Sequence, residues 1–126
     1  MANKFHNHKI KNQLGEFDSK KELKYYLLLL DRRRRGEITD LHRQVEFEII
    51  PKQTEIVEVI SPVRKSVRKV EKVLEQNAVY TADFTYRENG QLIVVDVKSE
   101  ITRKQADYVL RRKLMLYRNG IKITEI

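Results

Sequence analysis

Hydrophobic and polar positions along the chain change their period several times, and each change predicts an element. Residues 18–33 carry Leu23, Tyr26, Leu27 and Leu30 at helical spacing. Either Asp18 or Ser19 caps this first helix, and Ser19-Lys20-Lys21-Glu22 matches a capping box. The run Arg32-Arg33-Arg34-Arg35 suits the negative end of the helix dipole, and Gly36 stops it. Residues 41–50 then alternate, with Val45, Phe47 and Ile49 on one side and Gln44, Glu46 and Glu48 on the other. That is a strand, ended by Pro51. Residues 55–60 read as a short additional strand. Residues 61–77 carry two signals. Val63, Val67, Val70 and Leu74 fit a helical face, whereas the valine content favours a strand. The reading leans to helix, with Arg64, Lys65, Arg68, Lys69 and Lys72 on its exposed side. Residues 79–98 hold two β-rich runs around Asn89-Gly90, a strong hairpin signal. Thr102 caps a second helix over residues 102–118, Asn119-Gly120 closes it, and residues 121–126 alternate as a last strand.

The turn fixes the register of the hairpin. With Asn89 and Gly90 as the loop, Glu88 faces Gln91, and pairing outward puts Asp83 opposite Asp96 and Thr81 opposite Lys98. Asp83, Asp96 and Lys98 then project from one side, and Ala82, Phe84, Tyr86, Ile93, Val95 and Val97 from the other. Opposed side chains have Cβ atoms about 4.5–5.5 Å apart, so two carboxylates there repel. A raised pKa on one acid relieves this, and so does a bound cation. Mg²⁺ suits a pair of oxygen ligands that leaves room for water. Lys98 offsets charge at the same place or orients a water. The alternative is a solvated strand face on which Lys98 simply pairs with Asp96.

Composition narrows the setting. The chain has 126 residues, enough for one domain with one core. It divides into an arm over residues 1–16, without apolar periodicity, and a single domain over residues 17–126. His6-Asn7-His8 in the arm carries no catalytic expectation. There are no cysteines, which excludes disulfides and thiolate zinc sites. No stretch reaches the roughly 18 apolar residues that a membrane span needs. No signal peptide is visible, so a cytoplasmic protein is expected. Basic residues number 26 against 18 acidic, a net charge of +8, which attracts polyanions and above all nucleic acid.

Tyr80-Thr81-Ala82-Asp83-Phe84 followed by Val95-Asp96-Val97-Lys98 resembles the core signature of the PD-(D/E)XK, or restriction-endonuclease-like, superfamily. The resemblance maps the first acid to Asp83, the second to Asp96 and the lysine to Lys98. It implies an α/β fold with an αβββαβ core, a mixed central sheet flanked by helices. The wider chain, from Phe17-Asp18-Ser19-Lys20-Lys21-Glu22 to the terminal helix and strand, resembles small phage-encoded members related to Holliday-junction resolvases. The resemblance spans roughly residues 17–126, less 55–77. Ser99-Glu100 departs from it where such relatives often have glycine. It implies Mg²⁺-dependent phosphodiester hydrolysis, with Mn²⁺ as a substitute and no organic cofactor. Asp83, Asp96 and Glu22 would hold the metal, Lys98 would orient the attacking water, and Gln44 would stand nearby. Lys104, Tyr108 and Arg111, spaced along one helical face, would meet phosphates with Arg112. DNA is the implied partner, and junction cutting would call for a two-fold dimer. The apolar Ile56, Val57, Val59 and Val63 would serve there or, more simply, in the core. The competing classes are a non-catalytic DNA-binding or recombination-accessory module on the same basic surface, and an RNA-directed nuclease.

Overall fold

The computed structural model describes residues 10–126, and the His6-Asn7-His8 triplet lies outside them. Strands β1 (Ile10–Asn12) and β2 (Gly15–Phe17) form a small antiparallel hairpin. Residues 10–16 are therefore structured, where the sequence led us to expect a loose arm. Arg43 fastens β2: its guanidinium stacks 3.9 Å from the Phe17 ring centroid and donates to the Glu16 carbonyl at 2.7 Å.

Helix α1 spans Lys20–Arg34, and Ser19 is its cap, its Oγ accepting from the Glu22 N–H at 3.1 Å. At the far end the Gly36 N–H reaches the Arg33 carbonyl and the Glu37 N–H the Arg32 carbonyl. That pattern needs a left-handed residue, which Gly36 supplies at φ 78°. The buried side of α1 is not the expected stripe. Leu27 is exposed, and Glu22, Tyr25, Tyr26 and Leu29 face inward. A run with apolar residues on every side of the helix cannot state which side packs.

Strands β3 (Thr39–Ile50), β6 (Ala78–Glu88), β7 (Gln91–Asp96) and β8 (Thr124–Glu125) form the main sheet in the order β3-β6-β7-β8. The first two pairings are antiparallel and β7–β8 is parallel. The sheet is mixed, as expected. The expected hairpin register holds from Glu88↔Gln91 to Phe84↔Val95. Asn89 at φ 53° and Gly90 at φ 75° give the doubly left-handed turn that matches strand twist.

Helix α1 covers one face of the sheet, where Leu29 meets Phe84, Tyr86, Val95 and Val97. A helix named α3 (Ala106–Asn119) covers the other, where Met115 meets Ile49, Tyr80, Ala82 and Val94. Ala82 thus packs with the α3 layer, not with Phe84 as strict alternation required. The β6–β7 ladder ends at Phe84↔Val95, and Asp83 breaks the alternation just beyond it. Thr81 does not face Lys98: it pairs with Glu46, and the Lys98 N–H goes to the Ile126 carbonyl.

Two further expectations fail. Residues 61–77 hold a strand, β5 (Val67–Glu75), paired with β4 (Gln53–Ile60) in a separate two-stranded ribbon. The edge of β4 needed a hydrogen-bonding partner, and the β-branched Val67, Val70 and Val73 supply one. Ile56, Val59 and Val63 are accordingly exposed and Val57 half-buried, so none forms the core. The second helix is broken in two. Ser99, not Thr102, caps a one-turn helix α2 (Glu100–Arg103), and extended Gln105 restarts the chain as α3. Gly120 ends α3 in the left-handed conformation, and the last strand is only the two residues of β8.

Without the ribbon and the first hairpin, the order is α1-β3-β6-β7-α3-β8, with the short α2 before α3, which agrees with an αβββαβ core. No helix among the described residues is long and apolar enough to cross a membrane. The packing predicts a sharp contrast between two substitutions. Phe84→Ala, at a fully buried ring stacked on Tyr26, should cost about 3–5 kcal/mol. Val63→Ser on the ribbon should change stability by less than about 0.5 kcal/mol. Urea denaturation midpoints of the two variants test this.

Candidate active site

Where the β6–β7 ladder ends, its two strands bring Asp83 and Asp96 together in the interior, at 5% and 1% exposure. Each carboxyl group is partly satisfied from the opposite strand of the hairpin. Asp83 Oδ2 accepts from the Val97 N–H at 2.8 Å, and Asp96 Oδ2 accepts from the Tyr80 hydroxyl at 2.5 Å. Asp96 Oδ1 is buried without a hydrogen bond and faces Lys98 Nζ at 3.2 Å. Burial pushes Asp83 up to about 7, reinforced by its hydrogen bond to Asp96 and by that neighbour's charge. Burial alone would lower Lys98, but the charges of Asp96 and Asp83 outweigh it and hold the ammonium form. Tyr80 is likewise driven upward, by burial first and Asp96 second, so its hydroxyl stays a donor.

Helix α1 supplies the third acid. Glu22, at 3% exposure, divides its two oxygens between two tasks. Oε2 accepts from the Asp18 N–H at 3.2 Å as part of the helix cap. Oε1 accepts from Gln44 Nε2 at 3.3 Å and lies 3.9 Å from the Arg43 guanidinium. Burial, then the Asp83 charge, raises Glu22 to about 7. Gln44 Nε2 also reaches Asp83 Oδ1 at 3.5 Å, so this amide bridges the two acids. It does so from a left-handed backbone, φ 52°, inside β3. Such a conformation costs a non-glycine residue roughly 1–3 kcal/mol, and it lasts only where surrounding contacts impose it.

These groups open onto a cavity of about 350 Å³ lined by Ser19, Glu22, Asp83, Val97, Lys98 and Gln105, among others. A second cavity of about 360 Å³ lies beyond Lys98 and is lined by Tyr80, Asp96, Lys98, Gln105, Tyr108 and Arg111, among others. Lys98, Thr102 and Gln105 line both. The five residues expected at the centre, Asp83, Asp96, Lys98, Glu22 and Gln44, are therefore neighbours, although they come from four separate stretches of chain.

The expected phosphate-contacting face is not built as the spacing implied. Lys104 caps the C-terminus of α2 and does not belong to α3. Tyr108 is buried in the α3 core layer. Arg112 pairs with Glu125 at 3.5 Å. Arg111 alone of the four remains exposed on α3 and lines the second cavity, donating to the Val79 carbonyl. Sequence reasoning also gave no role to Tyr80, which holds Asp96. Tyr80 pairs with Phe47 of β3, and the β6–β7 register does not set it opposite Asp96, so the hairpin turn could not have joined them.

The donor set can be tested against a divalent ion. Among the described residues, no three His, Cys, Asp or Glu side chains form a group that could hold a metal. Asp83 and Asp96 do present adjacent oxygens, one of them without a hydrogen bond. One or two carboxylates with several waters are what Mg²⁺ takes, so the pair fits such an ion and Glu22 lies close behind.

A family model described as "Protein of unknown function (DUF1064)" matches residues 2–125. No curated protein and no solved structure matches the chain.

The raised acids make a pH prediction. Asp83 changes from an ordinary value near 3.8 to about 7 on folding. Between those values the folded protein binds more protons than the unfolded chain. The stabilising contribution is therefore complete below about pH 4 and is lost as the pH rises through 7. Without divalent ions, the melting temperature should fall over that window, and Asp83→Asn should flatten the fall. A wild-type profile that follows the variant at every pH would contradict the raised value.

Proposed function

The chain belongs to the DUF1064 family of proteins of unknown function, and we propose that it is a metal-dependent endodeoxyribonuclease hydrolysing phosphodiester bonds. One observation carries the reading: Glu22 from α1 and Asp83 and Lys98 from the end of a hairpin border one cavity, Asp96 pairs with Lys98 beside it, and Gln44 from β3 bridges Glu22 and Asp83. A purely structural polar cluster has little reason to bury three acids beside an open cavity. The net charge of +8 supports a polyanionic substrate. The resemblance to the PD-(D/E)XK pattern supports the reaction class, and its junction-resolving relatives extend the proposal to branched or recombination DNA. A protein that resolves such junctions acts as a two-fold dimer.

In this mechanism Asp83 and Asp96 would hold a Mg²⁺ or Mn²⁺ ion, with Glu22 behind them. Such an ion would supply Lewis-acid polarisation of a phosphoryl oxygen and activation of water for attack. Lys98 keeps its charge beside the two aspartates, so its ammonium orients the attacking water and stabilises developing negative charge. Tyr80 fixes one oxygen of Asp96 and leaves the other beside Lys98. Gln44 holds Glu22 and Asp83 at a constant separation.

A second reading has one observation in its favour. Lys98 already compensates Asp96, so the cluster is electrostatically tolerable with no ion at all. The protein would then be a non-catalytic DNA-binding or recombination-accessory module, with binding indifferent to metals and to Asp83→Asn.

Purified protein should nick or cut DNA only with Mg²⁺ or Mn²⁺, in trials on a four-way junction, linear duplex and single strand. Asp83→Ala and Lys98→Ala should each lower the rate roughly 100-fold or more while keeping the wild-type circular dichroism spectrum. Absence of cleavage of every substrate with both ions would remove the nuclease reading, and metal-independent binding would then select the second.

A further inference from the structure

The β4–β5 ribbon plays no part in the site, and none of its residues belongs to either core layer. Its two strands hydrogen-bond to each other in a sheet of their own. An eight-residue strand reaches roughly 26 Å at about 3.3 Å per residue. The ribbon is thus an arm, and its charge is sorted along its length. Of its four acids, Glu55, Glu71 and Glu75 stand in the half nearer the main sheet, and Glu58 stands in the outer half. The ribbon's outer cations are Arg64, Lys65, Arg68 and Lys69, and beyond Glu58 and its partner Lys69 the tip, residues 59–68, holds no acid. All four cations are exposed. Lys69 faces Glu58 in the register, whereas Arg68 faces Val59, and Arg64 and Lys65 sit in the turn. The apex between them is apolar: Pro62 is exposed, and Val63 and Ile60 are 89% and 68% exposed.

We propose that this arm docks along a groove of duplex DNA, with its outer cations on the phosphates and its apolar apex against the base edges. The major groove admits a two-stranded β-ribbon, and apolar side chains there meet thymine methyl groups. A second copy of the chain is a poor occupant, because two acid-free cationic tips repel. The inference rests on the DNA-binding part of the function proposed above, but not on catalysis.

The test measures binding of a short duplex and of the matching single strand in EDTA, where no cutting can occur, across a range of salt. Wild-type protein should bind the duplex. In the variant Arg64→Ala/Lys65→Ala/Arg68→Ala/Lys69→Ala, duplex affinity at low salt should fall by about tenfold or more. The slope of log affinity against log salt should shrink by about 3–4, one increment per lost phosphate contact. Single-strand affinity should fall less. Val63→Asp should weaken duplex binding as well. Leu28→Ser, on the exposed side of α1 and outside both the ribbon and the site, should bind the duplex as wild type does. Retention of both affinity and slope by the quadruple variant would overturn the arm. So would equal losses on duplex and single strand, or a wild-type protein that binds no duplex. A change in sedimentation mass with unaltered DNA binding would mark the ribbon as a contact between copies and overturn the proposal too. Wild-type protein that binds through the ribbon yet cuts nothing would sink the nuclease reading and leave the arm standing.

Discussion

Two aspartates side by side inside a protein repel each other and lose hydration together, so everything around them has to answer for that cost. Here the answer is distributed. A backbone N–H serves Asp83, a tyrosine hydroxyl and a lysine serve Asp96, and Asp83 relaxes the remaining repulsion by favouring its protonated form. No single partner would suffice. The arrangement also explains why β6 and β7 stop pairing where they do. The N–H of Val97 is turned to a carboxylate, and the ladder between the two strands ends at Phe84↔Val95.

The same demand reaches into α1 and β3. Glu22 stands on the inward face of its helix, in line with Tyr25, Tyr26 and Leu29, and so meets the Asp83 side of the sheet. Its cap hydrogen bond to Asp18 occupies one oxygen only, and the structural and site roles coexist in one side chain. Gln44 adopts a strained backbone to place its amide between the acids. Arg43, the preceding residue, is anchored on Phe17 and Tyr26 and by the Glu16 carbonyl, which holds that part of β3 against the pull. The first hairpin thereby supports the site at one remove.

The two proposed roles divide along the same lines as the architecture. The three-layer body carries a compensated polar centre facing a cavity. The ribbon carries cations and an exposed apolar apex on a part of the chain with no packing duty. On the proposed reading, chemistry and grip would sit on separate elements, one buried and preorganised, the other exposed.

The chain by itself determined whatever depends on local periodicity and turn chemistry. Asn89-Gly90 fixed the hairpin register and so the proximity of Asp83 and Asp96, because two left-handed residues in succession permit one reversal. Ser19 and Gly36 fixed the ends of α1 through hydrogen bonds that span only a few residues. Tertiary structure decided the rest. Residues 61–77 have helical and strand signatures of similar strength, and only pairing with β4 settles them as a strand. The inward side of α1 depends on the sheet beneath it, since its own apolar residues surround the axis. The contact of Tyr80 with Asp96 and the bridge of Gln44 between Glu22 and Asp83 join residues far apart in sequence. No local pattern encodes such contacts, because they exist only once separate elements pack against each other.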